Sequence, residues 1–161
     1  MALLVKELCY VSEKVHLSRI IETLPVNLID DGGHFLNMAA CIYSTESHRA
    51  LQRRMHDIEI KLGRDRSDVN SSKKSRPADI DVYFGLQMHE NRVDSGLIPP
   101  ESFIRPLFHD LLAEMKIDGV DRPDQLQQGI DLQVGNTKVG AVATTISFDA
   151  ASGGFRHPQK G

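Results

Sequence analysis

The chain has 161 residues, 40% of them apolar, which is enough for one unit with a single core and too short for two of ordinary size. A formal charge of -3 and a pI near 6.1 exclude the global basic surface that neutralises a nucleic-acid backbone, and no apolar run approaches the roughly 20 residues of a membrane span. Cys9 and Cys41 sit in no CxxC or Cys/His spacing, and Lys6, Glu7, Glu13 and Lys14 interrupt the opening apolar run, so a disulfide framework, a zinc site and a secretion signal are all disfavoured and a cytoplasmic setting follows.

Leu4, Leu8, Val11 and Val15 recur at helical spacing and predict a helix from about residue 2 to residue 15, with one apolar stripe that needs a sheet to cover. Residues 16–24, HLSRIIETL, read as a strand ending before Pro25, which cannot donate to a ladder. Asp30, Asp31, Gly32 and Gly33 mark a turn, and HFLNMAACIY (34–43) reads as a largely buried strand. Leu51, Met55, Ile58 and Leu62 then define the clearest helix, with Ser44 or Ser47 as its cap and Gly63 as its carboxyl stop.

Residues 64–78 (RDRSDVNSSKKSRPA) are basic, polar and without apolar periodicity, the composition of a surface loop. DIDVYF (79–84) alternates acidic and apolar residues and then turns apolar, as a strand does when one end meets solvent or a ligand, and Gly85 ends it. IPPESFIRPLFHDLLAEMK is a proline-rich turn followed by a short helix carrying Leu107, Leu111, Leu112 and Met115. IDLQV, Gly135-Asn136 and TKVGAVATTISF form a predicted hairpin, because glycine in the first turn position permits type II′ geometry. ASGGFRHPQKG (151–161) reads as a disordered tail, which leaves residues 1–150 as one domain.

Asp79 and Asp81 are two apart on the predicted strand, so both carboxylates face one side about 6–7 Å apart and can share hard divalent ions. Such a pair is also what a solvated edge strand carries. Upstream lie Arg64, Arg66, Lys73, Lys74 and Arg76, cations on a loop able to close over a polyphosphate. Carboxylates beside guanidinium groups suggest a metal-nucleotide site. No Ser, Cys or His falls in a triad or zinc spacing, and the seven histidines read as surface or satisfied core residues.

FLN (35–37), IE (58–59), LGRDR (62–66) and RPADID (76–81), followed by an apolar strand and Gly85, resemble in order and spacing the signature of the hydroxymethyl-dihydropterin pyrophosphokinases, over roughly residues 1–110. The resemblance implies an α+β fold, a ferredoxin-like antiparallel sheet with helices packed on it. It also implies a folate-pathway enzyme that moves pyrophosphate from ATP to a pterin hydroxymethyl group. Asp79 and Asp81 would hold two magnesium ions, Arg64 and Arg76 would bind phosphate, Asn37 would bond the pterin, and Phe35, Thr23, Pro25 and Phe103 would wall its pocket. Its partners would be small molecules, with no nucleic acid or membrane, and a homo-oligomer stays open.

The family begins with a strand and a Gly-Ser-Asn loop, whereas this sequence opens within what corresponds to the next helix. The basic loop lacks a tryptophan, and the family's Val-Pro-His after IPP (98–100) is missing. These departures touch nucleotide contacts more than the acidic pair, and they keep a second reading open, a homologue that binds a pterin or nucleotide without turnover. The carboxyl-terminal strand 138–148 is expected to take the place of the family's first strand.

Overall fold

The computed structural model describes residues 1–24, 34–65, 77–121, 123 and 125–158. Its centre is a four-stranded antiparallel sheet in the order β4-β1-β7-β8, formed by Ala40–Ile42, Lys14–Leu17, Thr144–Asp149 and Gly154–Arg156. Two small ladders flank it, β2 (Ile21–Thr23) with β3 (Phe35–Asn37) and β5 (Leu132–Val134) with β6 (Thr137–Val139). With helices α1 (Ala2–Val11), α2 (His48–Lys61) and α3 (Arg105–Met115), this is the α+β, antiparallel, ferredoxin-like class expected from the sequence.

The alternation of β1 puts Val15 and Leu17 on one face of the sheet and His16 on the other, where α3 contacts β1 and β7. Val15 and Leu17, with Ile146 and Phe155, meet Val5 and Leu8 of α1 and Met55 and Ile58 of α2 in one core cluster. A second cluster gathers Ile21, Ala39, Val93 and Ile98 around Leu107, Phe108, Leu111 and Leu112 of α3.

The first helix stops at Val11 and not at residue 15, because Ser12 adopts an extended conformation and its hydroxyl donates to the Lys14 carbonyl at 2.7 Å while accepting from Tyr43 N at 3.0 Å. Val15 therefore serves the sheet. The single strand expected over 16–24 divides at Ser18–Ile20: Ser18 N donates to the Ala39 carbonyl and Ile20 N to the Gly140 carbonyl, so the chain changes partners midway. The run 34–43 divides likewise into β3 and β4 in different sheets, and only Ala39 of it is buried, with His34, Leu36, Ala40 and Tyr43 exposed and the others half-buried. Helix α2 matches expectation, capped by the Ser47 hydroxyl on Ala50 N and followed by Gly63 at φ 101°.

Residues 79–84 belong to no ladder, contrary to the predicted strand, although their side chains keep a period-two alternation of exposed and half-buried positions from Asp79 to Leu86. The Ile80 N–H donates to the Glu59 carboxylate on α2 at 2.7 Å, so a helix side chain holds this backbone where a neighbouring strand was expected.

The 132–139 hairpin turns at Gly135, φ 59°, as predicted, but 138–148 is not one strand. Gly140, at φ 100°, breaks it, and β7 then takes an interior place in the main sheet between β1 and β8. Residues 154–156, read from sequence as part of a tail, form β8: Phe155 is buried, its N–H donates to Asn136 Oδ1, and its carbonyl accepts from the Thr137 hydroxyl at 2.6 Å. One aromatic ring among glycines and polar residues gives too weak a period for sequence reasoning to see a strand. The turn at 30–33, Pro25 and most of the basic loop lie outside the described residues.

Candidate functional site

A cleft of about 1950 Å³ opens between residues 34–46, the extended segment 77–91 and α3. Its walls carry Asp79, Asp81, Thr23, Phe35, Asn37 and Phe103, so six residues proposed from sequence gather around one cavity. Arg66, Lys73, Lys74, Arg76 and Pro25 lie outside the described residues.

The β2–β3 ladder sets one wall. Thr23 pairs with Phe35 and Ile21 with Asn37, and the Asn37 amide nitrogen donates to the Thr23 hydroxyl at 2.8 Å, which fixes the carboxamide plane and turns its oxygen away from Thr23. Phe103 also lines the cleft, half-buried against the second core cluster, and borders a smaller cavity of about 230 Å³ beside Arg19, Ile21 and Gln127.

The acidic pair is placed by α2. Glu59 is 1% exposed and its Oε1 accepts from Ile80 N and from the Arg64 guanidinium, both at 2.7 Å. The same Arg64 nitrogen reaches Asp79 Oδ1 at 2.5 Å. A buried carboxylate thus grips the peptide between the two aspartates and an arginine that neutralises the first of them, so both exposed acids start from a fixed backbone. Arg64 Nε is buried without a hydrogen-bond partner.

Glu59 was legible as part of a motif and not as a positioning group. The signal was available: Met55, Glu59 and Leu62 share one helical face, so an acid lies on the apolar stripe, where it must find partners. Tyr83 was also missed. It shares the exposed side of the extended segment with Asp79 and Asp81, packs edge-on to Phe108 at 5.6 Å, and its hydroxyl is pushed up to about 12 by burial first and then by Asp81, Glu101 and Asp79. It stays a hydrogen-bond donor beside Asp81.

Two exposed carboxylates supply hard oxygen donors that fit magnesium, an ion that takes one or two carboxylates and completes its shell with water and phosphate. Among the described residues no group of three or more His, Cys, Asp or Glu side chains is arranged to hold a metal, so substrate oxygens would have to supply the remaining ligands. No helix among them is long and apolar enough to cross a membrane.

No curated protein and no solved structure matches the chain. A family model does, that of 7,8-dihydro-6-hydroxymethylpterin-pyrophosphokinase, over residues 2–108, a span that contains the acidic pair, Glu59, Arg64, the β2–β3 wall and Phe103. The chain therefore belongs to the 7,8-dihydro-6-hydroxymethylpterin-pyrophosphokinase family.

Proposed function

We propose that this protein transfers pyrophosphate from ATP to the hydroxymethyl group of a dihydropterin, with magnesium held at Asp79 and Asp81. The observation that carries the proposal is the coincidence, on one cleft, of an acidic pair braced by Glu59 and Arg64 with the Thr23–Asn37 wall and Phe103. The family supports pterin pyrophosphokinase chemistry in general terms.

The reaction joins the hydroxymethyl oxygen to the β-phosphorus, breaks the bond from that phosphorus to the α,β-bridging oxygen, and releases AMP with that oxygen, while the hydroxyl proton passes to solvent water. Such a transfer needs little covalent help from side chains and depends on positioning and charge. Asn37 orients the pterin edge through its carboxamide, and Phe35 and Phe103 bracket the ring. Arg66, Lys73, Lys74 and Arg76 of the basic loop would grip phosphate oxygens, while Arg64, 11% exposed and paired with Glu59 and Asp79, reaches phosphate only by letting go of Asp79. Bound magnesium, as two ions, would supply charge neutralisation across the transferring group. Asp79 and Asp81 fix where that charge sits.

A second reading, ligand binding without turnover, is favoured by the Arg64–Asp79 pair, which occupies one acid with a protein cation. The two are separated by following AMP release from ATP, magnesium and hydroxymethyl-dihydropterin. Native protein is expected to release AMP, and Asp81→Ala to slow it by about a hundredfold or more. Equal rates in the two proteins would remove Asp81 from the metal site. Calorimetric binding of the pterin without AMP release would establish the second reading.

A further inference from the structure

His16 lies on β1 facing α3 and is 6% exposed, with hydroxyl partners on both ring nitrogens: Nδ1 is 2.8 Å from the Thr145 Oγ1 and Nε2 is 3.1 Å from the Tyr43 hydroxyl. Thr145 is its cross-strand partner on β7, and Thr145 in turn donates to Glu114 Oε1 of α3 at 3.0 Å. The four side chains form one chain of contacts from the end of β4 to α3, and all four border the cleft.

The proton positions follow from counting donors. A threonine hydroxyl has one proton and a carboxylate has none to give, so the Thr145 proton is committed to Glu114. Thr145 can then only accept from His16, which places the proton of the neutral imidazole on Nδ1. Nε2 is left as a lone pair, and the Tyr43 hydroxyl must donate to it. Tyr43 is 44% exposed, so its oxygen faces the cleft as an acceptor only.

Adding a proton to His16 reverses this. Nε2–H becomes a donor, the Tyr43 oxygen accepts it, and the tyrosine proton turns outward. The Thr145 and Glu114 contacts need not change.

The groups facing the imidazole decide how readily this happens. Burial and Lys14 on the same strand disfavour the charged ring, and Glu114 on α3 favours it in part. Cys41, the cross-strand partner on β4, is held as a neutral thiol by its own burial, and Thr145 and Tyr43 bring no charge.

We propose that His16 is a positioning residue that sets the hydrogen-bond polarity of Tyr43 at the cleft wall: an acceptor toward the cleft while the imidazole is neutral, and a donor to an acceptor-rich anion once it is charged. This adds a ligand contact at the end of β4, held from behind by β1, β7 and α3, apart from Asn37 and the aspartates. It does not rest on the transfer chemistry, so a protein that releases no AMP can still satisfy it.

Nitrogen-detected NMR of the full chain, with the His16 signal assigned by its loss in His16→Asn, is expected to show a neutral ring protonated on Nδ1, the less common form of free histidine. A ring protonated on Nε2 would overturn the proposal. The probe for the polarity change is inorganic pyrophosphate, titrated across the range in which His16 gains its proton. Its binding is expected to strengthen on acidification about threefold to tenfold more in native protein than in Tyr43→Phe, the effect of one added hydrogen bond to a charged group. An identical pH profile in the two proteins, with folding of Tyr43→Phe verified by circular dichroism, would also overturn it.

Discussion

Replacing Glu59 by alanine tests the claim that a buried acid on α2 organises the acidic pair. The substitution removes a 1% exposed carboxylate that accepts from both Arg64 and the Ile80 N–H. Arg64, whose side chain is 11% exposed, would lose the buried half of its charge compensation and keep Asp79, which is 41% exposed. Breaking a buried pair by deleting one member costs about 3–5 kcal/mol, and an abandoned backbone donor costs about 1–3 kcal/mol. The two penalties share atoms and Asp79 retains part of the arginine's compensation, so the expected loss is about 3–4 kcal/mol. Urea unfolding at neutral pH measures it. Glu59→Gln keeps an acceptor for Ile80 and should lose about half as much, and Arg64→Met combined with Glu59→Gln should lose less than the sum of the two single changes. A loss below about 1 kcal/mol for Glu59→Ala would refute the bracing role, because no buried charge would then have been stranded.

Three other outcomes follow from the fold. Phe155→Ala, in the segment that sequence alone assigns to a tail, should cost about 3–5 kcal/mol in chemical denaturation, and an unchanged midpoint would detach β8 from the core. Gly140→Ala should destabilise by about 2 kcal/mol or more, since at φ 100° a Cβ would stand 2.3 Å from the Ile130 carbonyl oxygen and 2.7 Å from Ile20 Cδ1; a neutral result would mean that this turn relaxes. Burial lowers the folded-state pKa of His16 from 6.5, so on acidification the unfolded chain takes the proton first. The stability this group contributes is therefore complete above about pH 7.5 and declines as pH falls through 6.5 and toward the folded value, a decline that His16→Asn should lessen in unfolding curves recorded from about pH 7.5 to about pH 5.

What the sequence disclosed depended on how strong each local signal was. Helix α2 was legible to its ends because its apolar spacing, Ser47 and Gly63 all agree. The hairpin at Gly135-Asn136 was legible for the same reason, a turn residue whose φ of 59° few side chains accept. Strand lengths were not. Runs such as 16–24 and 34–43 are apolar throughout, and only tertiary partners, Ala39 for Ser18 and Gly140 for Ile20, decide where one strand gives way to the next. DIDVYF kept the side-chain alternation of a strand without a ladder, since periodicity reports which side faces the core and says nothing about whether a neighbour is present. At the site, residue types and order pointed to the acids, Asn37 and the aromatic walls. Glu59 and His16 act through burial and through partners distant in sequence, which a linear pattern shows only as polar residues in apolar company.

Strand β1 bonds β4, made some 25 residues later, along one edge, and β7, with Val15 opposite Ile146, along the other. During synthesis the first side can zip early, while the second must wait until the ribosome has released residues far downstream. Until then Val15 and Leu17 are half sheltered, and a nascent chain carries a sticky, one-sided ribbon for much of its translation. Closing a loop of that length costs only slightly more free energy than closing a short one but is slow. Yield in a cell-free system should therefore respond to chaperones more than the equilibrium stability of the finished protein would suggest.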